Sequence, residues 1–377
     1  MLKVLLHIRS LDIGGSERQV ISLAKAMADI GVEAHIAVTT RDGQLETEVL
    51  GIPNIYLHHI EVKGLRSKFK YLLNLRSLIK SKEFDAVYGF LPVPNLALLI
   101  ARTLRNRPFI AWGVRSSGID LTQYSSRVKL AMRVEKYLSR FSDSVITNSQ
   151  AALKEYRIAG YPNSKLRYIP NAIDTERFKP APEARVSIRN ELNISCNTPL
   201  IGLFARIHPM KDHVTFLQAA KILVEKKPDI RFICAGSTSL GYSTFETLVK
   251  STATDLGLDK HIYWLGARED PEKLMVACDI TTLTSDSGEG FPNSIAESIA
   301  CGVPCVATDI GDSSNIVSDF ISVVPPKNPK TLATGWETAL NQDPVEQGQT
   351  AMKMRQSVID RFSCSTVVNL IIENLKH

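Results

Sequence analysis

The segment TSDSGEGFPNSIAESIACGVPCVATD, at residues 284–309, combines residue types that bind polar ligands. Glu289 lies in a glycine-containing loop after an apolar run, and Pro292 suits the first turn of a following helix. Glu297 comes eight residues later, in the second turn. The amides at such a helix start favour a phosphate or a polar sugar group; they belong to Phe291, Asn293 and Ser294, with Gly290 beside them. We therefore predict that the two carboxylates bind hydroxyls at opposite ends of an elongated ligand.

Two cations, Arg206 and Lys211, follow the apolar run at 200–204 in the segment LFARIHPMKDH. Arginine binds a diphosphate through its planar fork, and lysine binds it as a point charge. At a turn after a strand, the pair can neutralise charge that grows on a departing diphosphate. We predict that both residues take part in catalysis and in ligand binding.

A glycine pair, Gly14-Gly15, follows the first apolar run of the chain. Paired glycines let a backbone approach a ligand closely, so both are candidate binding residues. The dinucleotide fingerprint with three spaced glycines is absent here, so an NAD site is not supported.

No metal site is expected from the sequence. The chain contains no Asp-x-Asp motif, and its six cysteines are scattered. His208 and His213 flank Lys211 without a third ligand nearby. We therefore expect no metal and no resident cofactor.

The candidate residues all follow apolar runs that alternate with helical patterns, which favours parallel sheets with ligands at the carboxyl ends of the strands. The predicted strands are 3–8, 34–39, 86–88, 109–114, 144–147, 200–204, 230–235, 262–265, 280–284 and 305–308. The segment YIPNAIDTERFKPAPEA, at 168–184, is rich in proline and lacks apolar periodicity, so we predict a linker there.

A chain of 377 residues also exceeds what one hydrophobic core usually serves. We predict an α/β fold of two Rossmann-like, doubly wound domains that face each other across a cleft. The first spans 1–172 and the second spans 173–355. Residues 356–377 are predicted to form a helix that packs back on the first domain.

Taken together, these motifs resemble those of the family-4 glycosyltransferases of GT-B fold over essentially the whole chain. The resemblance rests on four elements in the family's order: Gly14-Gly15-Ser16-Glu17, Pro170-Asn171-Ala172-Ile173-Asp174, Arg206 with Lys211, and Glu289 with Glu297. It implies transfer of a sugar from a nucleotide-diphosphate sugar, such as a UDP- or GDP-sugar, with retention of the anomeric configuration. It also implies that the first domain binds the acceptor and that the second binds the donor.

The resemblance also assigns roles to individual residues. It implies that Glu289 contacts the hydroxyls of the donor sugar and that Glu297 binds the ribose. It places the backbone near Arg268, after Gly266, beside the nucleotide base. The nucleotide sugar would be a co-substrate, with two cations and helix amides in place of a metal.

One position departs from the family's pattern. Many relatives have a histidine after the middle strand of the first domain, where this chain reads IAWGVRSSG with Arg115. An arginine cannot act as a general base, but it can hold a phosphate or stabilise an oxyanion. We treat Arg115 as a fourth catalytic candidate, and His7 lies too early in the chain to replace it.

Charge is distributed unevenly. Residues 1–170 hold 25 Lys and Arg against 14 Asp and Glu, whereas the rest hold 20 against 25. The stretch 61–82 carries seven basic residues and one acid, with Phe69, Leu72, Leu73 and Ile79 at helical spacing. Two interpretations are open: a solvated helix face, or contact with an anionic membrane surface or a lipid-linked diphosphate acceptor. Nucleic acid is disfavoured because no stacking aromatics are interleaved.

The N-terminal apolar run is broken by His7 and Arg9, which disfavours a signal peptide. We expect a cytoplasmic protein, peripheral on the inner face of the membrane if the basic half binds lipid. The acceptor expected from this half is a lipid-linked saccharide of a cell-surface polysaccharide, and a soluble acceptor is the alternative.

Three other functions fit parts of the pattern. A dehydrogenase would need the missing glycine fingerprint. A nucleotide-sugar epimerase of the same fold would isomerise the sugar without an acceptor. A catalytically inactive sugar-binding scaffold is disfavoured by the four charged residues at strand ends, although Arg115 leaves it open.

Overall fold

The computed structural model describes residues 1–60, 65–102, 107–115, 126–238, 241–317 and 322–376. The chain divides into two compact units. The first comprises Met1–Ala172 with Phe362–His377, and the second comprises Ile173–Arg361. The division after Ala172 lies in the proline-rich segment that we predict to be a linker.

The first unit is a parallel sheet covered by helices. Its strands are β1 (Lys3–Ile8), β2 (Glu33–Val38), β3 (Ile55–His59), β4 (Ala86–Phe90), β5 (Phe109–Val114), β6 (Ser144–Thr147) and β7 (Leu166–Tyr168). Its first helices are α1 (Gly15–Asp29), α2 (Leu65–Lys82), α3 (Pro92–Ala101), α4 (Ser126–Leu138) and α5 (Gln150–Ile158). The strands are ordered β3-β2-β1-β4-β5-β6-β7, with every pair parallel.

Both faces of this sheet are buried, as its apolar strands require. Successive residues of β1 enter different cores, since side chains alternate between the faces of a strand. Val4, Leu6 and Ile8 pack in one cluster, and Leu5 packs in the other.

The second unit repeats the scheme. Its strands are β8 (Leu200–Phe204), β9 (Arg231–Ala235), β10 (Ile262–Gly266), β11 (Ile280–Leu283), β12 (Cys305–Thr308) and β13 (Val323–Val324). Its helices are α6 (Pro182–Glu191), α7 (His213–Lys226), α8 (Ser243–Asp255), α9 (Pro271–Ala277), α10 (Asn293–Ala300), α11 (Ser313–Val317), α12 (Pro329–Leu340) and α13 (Pro344–Phe362). The parallel strand order is β10-β9-β8-β11-β12-β13.

The chain then returns to the first unit through α14 (Cys364–Leu375). Its stripe of Val367, Val368, Ile371, Ile372 and Leu375 is buried in the same core as Val4. The return occurs at residue 362 rather than at the predicted 356, because α13 continues to Phe362.

The strand order reverses beside the first strand of each sheet, β1 and β8. In open α/β sheets, ligands bind beyond the carboxyl ends of the strands at such a switch point. The loop after β1 carries Gly14-Gly15, and the loop after β8 carries Arg206 and Lys211.

Candidate functional site

In the second unit, the ammonium of Lys211 forms an ion pair with the carboxylate of Glu289. Lys211 ends a short 3-10 helix, Pro209–Lys211, in the loop after β8, and Glu289 lies in the loop after β11. These strands are neighbours, so their carboxyl ends bring together residues 78 positions apart in sequence.

Glu289 is 8% exposed, and Ser285 Oγ donates a hydrogen bond of 2.5 Å to its Oε1. Burial by itself raises the pKa of Glu289, but the Lys211 charge, hydrogen bonds from Lys211 and Ser285, and the Arg206 charge outweigh it. The pKa of Glu289 is therefore below its usual value, and the carboxylate is ionised at neutral pH. Ser285 was not singled out from the sequence.

Backbone contacts hold the two loops together. Thr284 Oγ1 donates to the Lys211 carbonyl at 2.7 Å, and the Asp286 amide donates to the Met210 carbonyl at 3.0 Å. On the other side, Gly311 has φ +61°, and a Cβ there would overlap the carbonyl oxygens of Glu289 and Gly290. Only glycine fits this close approach without strain.

Arg206 is exposed and forms no ion pair within the described part of the chain. Its positive charge nevertheless acts on Glu289 and His208, since it is one of the contributions that lower the pKa of each group. The second unit thus carries two cations and one buried carboxylate at one edge of its sheet, with one cation open to solvent.

Helix α10 starts at Asn293, and Pro292 is its N-cap rather than a first-turn residue. Glu297 lies in the second turn, as predicted, and is half-buried. Phe291 is 5% exposed, whereas Asn293 and Ser294 are half-buried. The segment therefore has the predicted local structure, and its ligand contacts stay a prediction.

The guanidinium of Arg268 donates hydrogen bonds to carboxylates of the same unit. It binds Asp270 at 2.8 and 2.9 Å and Glu191 at 2.6 Å, and these carboxylates raise its pKa. This leaves the backbone of the Gly266–Arg268 turn, rather than the guanidinium, as the candidate neighbour of a ligand.

A cavity of about 290 Å³ lies at the carboxyl ends of β8, β9 and β10. Its lining includes Ala205, Ile207, His213, Thr238, Trp264 and Gly266. Gly266 directly precedes the backbone that the family resemblance predicts to lie beside the nucleotide base. Trp264 is half-buried and lines this cavity.

In the first unit, Gly14 is the N-cap of α1 and Gly15 is its first residue. A Cβ on Gly14 would overlap the carboxylate of Glu17, which folds back over the turn. The two glycines lie at the edge of the sheet where β1 ends.

Arg115 directly follows β5. Its guanidinium donates to Asn171 Oδ1 at 2.6 Å and to Tyr88 Oη at 3.2 Å, and lies 4.5 Å from the centre of the Phe90 ring. Its Nε is buried and has no hydrogen-bond partner among the described residues. All these contacts are neutral, so the positive charge of Arg115 is held in place without a described counterion.

His7 does not take part in a site. It is fully buried, its Nδ1 lies 2.9 Å from the Ala37 carbonyl and its Nε2 lies 2.6 Å from Tyr71 Oη. Desolvation lowers the pKa of His7 to about 4, so the ring is neutral. It is a core hydrogen-bonding residue.

Across the described ranges, no group of three or more His, Cys, Asp or Glu residues is arranged to hold a metal ion. No described helix is both long enough and apolar enough to cross a membrane.

Two doubly wound units with this arrangement of cations and carboxylates define the GT-B class of glycosyltransferases. A model described as Glycosyltransferase Family 4 matches residues 13–177, and a model described as Glycosyl transferases group 1 matches residues 185–359. The chain belongs to the family-4 glycosyltransferases and is an enzyme of that class.

Two relatives are named for transfer to lipid-linked acceptors. The Escherichia coli UDP-Gal:alpha-D-GlcNAc-diphosphoundecaprenol alpha-1,3-galactosyltransferase is 27% identical over 68% of this chain and 66% of its own length. The Campylobacter jejuni N-acetylgalactosamine-N,N'-diacetylbacillosaminyl-diphospho-undecaprenol 4-alpha-N-acetylgalactosaminyltransferase is 23% identical over 96% of each chain. The chain thus spans about two thirds of the first relative and nearly all of the second.

Among solved structures, Anabaena Alr3699/HepE in complex with UDP-glucose matches with a TM-score of 0.88 at 24% identity, over 100% of both chains. This likeness shows that the fold is shared across both units.

Proposed function

We propose that this glycosyltransferase moves a sugar from a UDP- or GDP-sugar onto a lipid-linked saccharide, with retention and without a metal. The observation that carries the proposal is the Lys211–Glu289 ion pair at the switch point of the second sheet, with Arg206 in the same loop and in no ion pair among the described residues. The named substrates of the E. coli relative and the UDP-glucose bound to the Anabaena protein support a nucleotide-sugar donor.

The two cations act on the diphosphate. When the bond between the anomeric carbon and the diphosphate oxygen breaks, that oxygen keeps the electron pair and gains charge. Arg206 is exposed and without a described carboxylate partner, so its fork can bind the diphosphate directly. Lys211 adds a second charge on the side of Glu289. Preorganised charges of this kind stabilise the transition state by several kcal/mol.

Glu289 acts on the sugar. Its ionised carboxylate, fixed by Ser285 and Lys211, accepts hydrogen bonds from sugar hydroxyls. Retention requires the new bond to form on the face from which the diphosphate leaves, and a carboxylate that holds the sugar keeps that face turned to the acceptor. Glu297, on the neighbouring helix, is assigned to the ribose.

Arg115 is assigned to the acceptor side. Its neutral partners leave the charge available for an anion at the carboxyl edge of the first sheet. That anion would be a phosphate of a lipid-linked acceptor or a negative charge that develops during sugar transfer.

Helices α2, α3 and α4 are assigned to a membrane surface. They pack side by side, and they expose apolar side chains at Phe69, Leu73, Val93, Ile100, Leu130, Val134 and Tyr137. Exposed basic residues accompany them at Lys70, Arg76, Lys80, Lys82, Arg133, Lys136 and Arg140. Apolar side chains among basic ones are typical of surfaces that bind anionic lipid.

A thermal-shift panel of UDP, GDP, ADP and CDP, with and without EDTA, tests the donor assignment. One nucleotide at about 100 times its Kd should stabilise the wild type by about 2.7 kcal/mol, which is a shift of several degrees. The shift should persist in EDTA and be lost in Arg206→Ala.

Lys226→Ala is the matched control, because Lys226 ends helix α7, at the opposite edge of the same sheet from Lys211. It should keep the full shift. A folded wild type that responds to no nucleotide would contradict the proposal, and a response abolished by EDTA would contradict metal independence. With donor and acceptor identified, proton NMR of the product's anomeric configuration decides retention.

A further inference from the structure

Gln19 is a buried polar side chain of α1 whose contacts the proposed function does not use. It is 4% exposed and lies in the second turn of the helix. Its Nε2 donates to the Ala172 carbonyl at 2.7 Å, and its Oε1 accepts from the Ala172 amide at 2.7 Å. One side chain thus binds both polar backbone groups of a residue that is 153 positions away.

The backbone of Ala172 is buried, so its polar groups need partners within the protein. Ala172 is 2% exposed and lies beyond the end of β7, after Pro170, which has no N–H to donate. Gln19 supplies a donor to the Ala172 carbonyl and an acceptor to its amide. The Gln19 side chain therefore fixes the backbone at this point of the segment that follows β7.

The amide that Gln19 holds belongs to the peptide unit that joins Asn171 to Ala172. A peptide unit is planar, so a hydrogen bond on the Ala172 N–H also fixes the plane that contains the Asn171 Cα. Asn171 is 5% exposed, and its Oδ1 accepts from the Arg115 guanidinium at 2.6 Å. Gln19 therefore acts on Arg115 through one peptide plane and one side chain.

Asn171 makes the shortest of the described contacts that orient the Arg115 guanidinium. Tyr88 Oη accepts at 3.2 Å, at the long end of the usual range for such a bond, and the centre of the Phe90 ring is 4.5 Å away. Without the Asn171 contact, the guanidinium would be held less firmly. A displacement of about 1 Å can slow an enzymatic reaction on the order of 100-fold.

We infer that Gln19 is a positioning residue for Arg115, because it holds Asn171 where the amide oxygen orients the guanidinium. The inference rests on the proposed function, which assigns Arg115 to the acceptor side. Gln19 follows Gly15 by about one helical turn on α1. One helix therefore carries the candidate glycine pair and the residue that orients Arg115.

A double-mutant cycle on sugar transfer tests the inference. Gln19→Met keeps the length of the side chain and removes its donor and its acceptor. It should lower kcat about 10-fold in the wild-type background, less than the loss of Arg115 itself, because Tyr88 and Phe90 still contact the guanidinium. In the Arg115→Ala background it should lower kcat no further, because the residue that it positions is gone. The full chain is assayed with UDP-Gal and alpha-D-GlcNAc-diphosphoundecaprenol, the substrates named for the E. coli relative.

A second readout needs no substrate, so it decides the inference whichever acceptor the enzyme uses. Proton–nitrogen NMR of the arginine-labelled full chain reports on the hydrogen bonds that hold a guanidinium. The signals of Arg115 are assigned by their loss in Arg115→Ala. Its Nη–H signals should be resolved in the wild type and broadened in Gln19→Met, because the guanidinium then rotates more freely.

Tyr71→Phe is the matched control, because it also removes a buried hydrogen bond of the first unit, the one between Tyr71 Oη and His7. It should lower the stability to thermal unfolding, as Gln19→Met does, but keep the wild-type kcat and the Arg115 signals. Unchanged Arg115 signals in Gln19→Met, or an equal loss of kcat in both backgrounds, would overturn the inference. An Arg115→Ala variant that transfers sugar at the wild-type rate would instead overturn the role of Arg115 in the proposed function.

Discussion

Among the described residues, the groups that contact the Arg115 guanidinium are all neutral. Asn171, Tyr88 and the Phe90 ring orient its guanidinium, and no described carboxylate forms an ion pair with it. A charge that served only the fold would be expected to have a carboxylate partner, because an unpaired charge is costly to shield from water. The arrangement fits the role toward an anionic substrate that we propose for Arg115.

Arg115→Ala should therefore reduce kcat by about 100-fold, the loss typical of removing one preorganised donor from a developing charge. The dissociation constant for the donor nucleotide should change less than about 3-fold, because the proposed diphosphate site consists of Arg206 and Lys211 and does not include Arg115. Steady-state kinetics and nucleotide titration of the same preparations measure both quantities.

Arg107→Ala removes an exposed arginine of the same unit, paired with Asp143 at 3.2 Å, and should leave both quantities unchanged. Parallel losses of kcat and nucleotide affinity in Arg115→Ala would assign Arg115 to the donor site or to structure.

At the scale of single residues, the sequence indicates candidate functional side chains but not what they contact. Glu289 and Lys211 were both predicted from strand-end positions, because parallel strands expose their carboxyl ends together. Their direct ion pair and the Ser285 hydrogen bond depend on loop geometry that no local pattern encodes. The hydrogen bond from Arg268 to Glu191 likewise joins residues 77 positions apart.

At the scale of elements, α3 and α4 are joined by a buried amide–carboxyl pair. Asn95 is 0% exposed and Glu135 is 2% exposed. Asn95 Nδ2 donates to Glu135 Oε1 at 3.1 Å and to the Gly113 carbonyl at 3.2 Å. Burial raises the pKa of Glu135 to about 7, although the Asn95 hydrogen bond partly opposes the shift.

This pair makes stability depend on pH. The carboxyl ionises near its usual value of 4.5 in the unfolded chain and near 7 in the folded protein. Between these values the folded protein binds the extra proton, so the free energy of unfolding falls as pH rises. Glu135→Gln removes this dependence. Its stability advantage over the wild type should grow between pH 5 and pH 8 by up to about 3 kcal/mol.

Urea denaturation at pH 5, 6, 7 and 8 measures that difference. Glu176→Gln, at a side chain that is 89% exposed, should give a curve parallel to the wild type at every pH. A constant offset between Glu135→Gln and the wild type would show that Glu135 does not titrate in this range.

Most elements were predictable because parallel strands are buried apolar runs of a few residues. The bounds of β1, β5, β6, β8 and β12 agree with the prediction. Strands β3, β7 and β13 were missed, since they are short or carry exposed polar residues. The predicted apolar face of α2 was partly wrong: Ile79 is buried with Tyr71 and Leu75, whereas Phe69 and Leu73 are 70% and 50% exposed.

At the scale of the whole molecule, the exposure of Phe69 and Leu73 agrees with the proposed membrane-binding face. Phe69 and Leu73 add apolar surface to a half of the chain with 11 more basic than acidic residues up to position 170, whereas the remainder has 5 more acidic. The proposed lipid-linked acceptor favours a lipid-binding face on one unit only. A surface that was basic on both units would attract either unit to anionic lipid.

Vesicle flotation tests this assignment. The wild type should float with phosphatidylglycerol-containing vesicles and not with phosphatidylcholine, and binding should fall at high salt because surface charges are screened. Lys70, Lys80 and Lys82 on α2 are exposed. Changing all three to Gln should weaken binding by about 100-fold, at about 1 kcal/mol for each lysine near the surface.

Three lysines of the second unit, Lys221, Lys226 and Lys227 on and after α7, provide a matched triple Gln variant with the same loss of charge. It should bind vesicles like the wild type, since only the first unit carries the proposed face. Phe69→Ser should weaken vesicle binding at high salt as well as at low salt, because it removes apolar area that membrane binding buries rather than charge. If both triple variants lost binding equally, attraction by net charge would replace the proposed face.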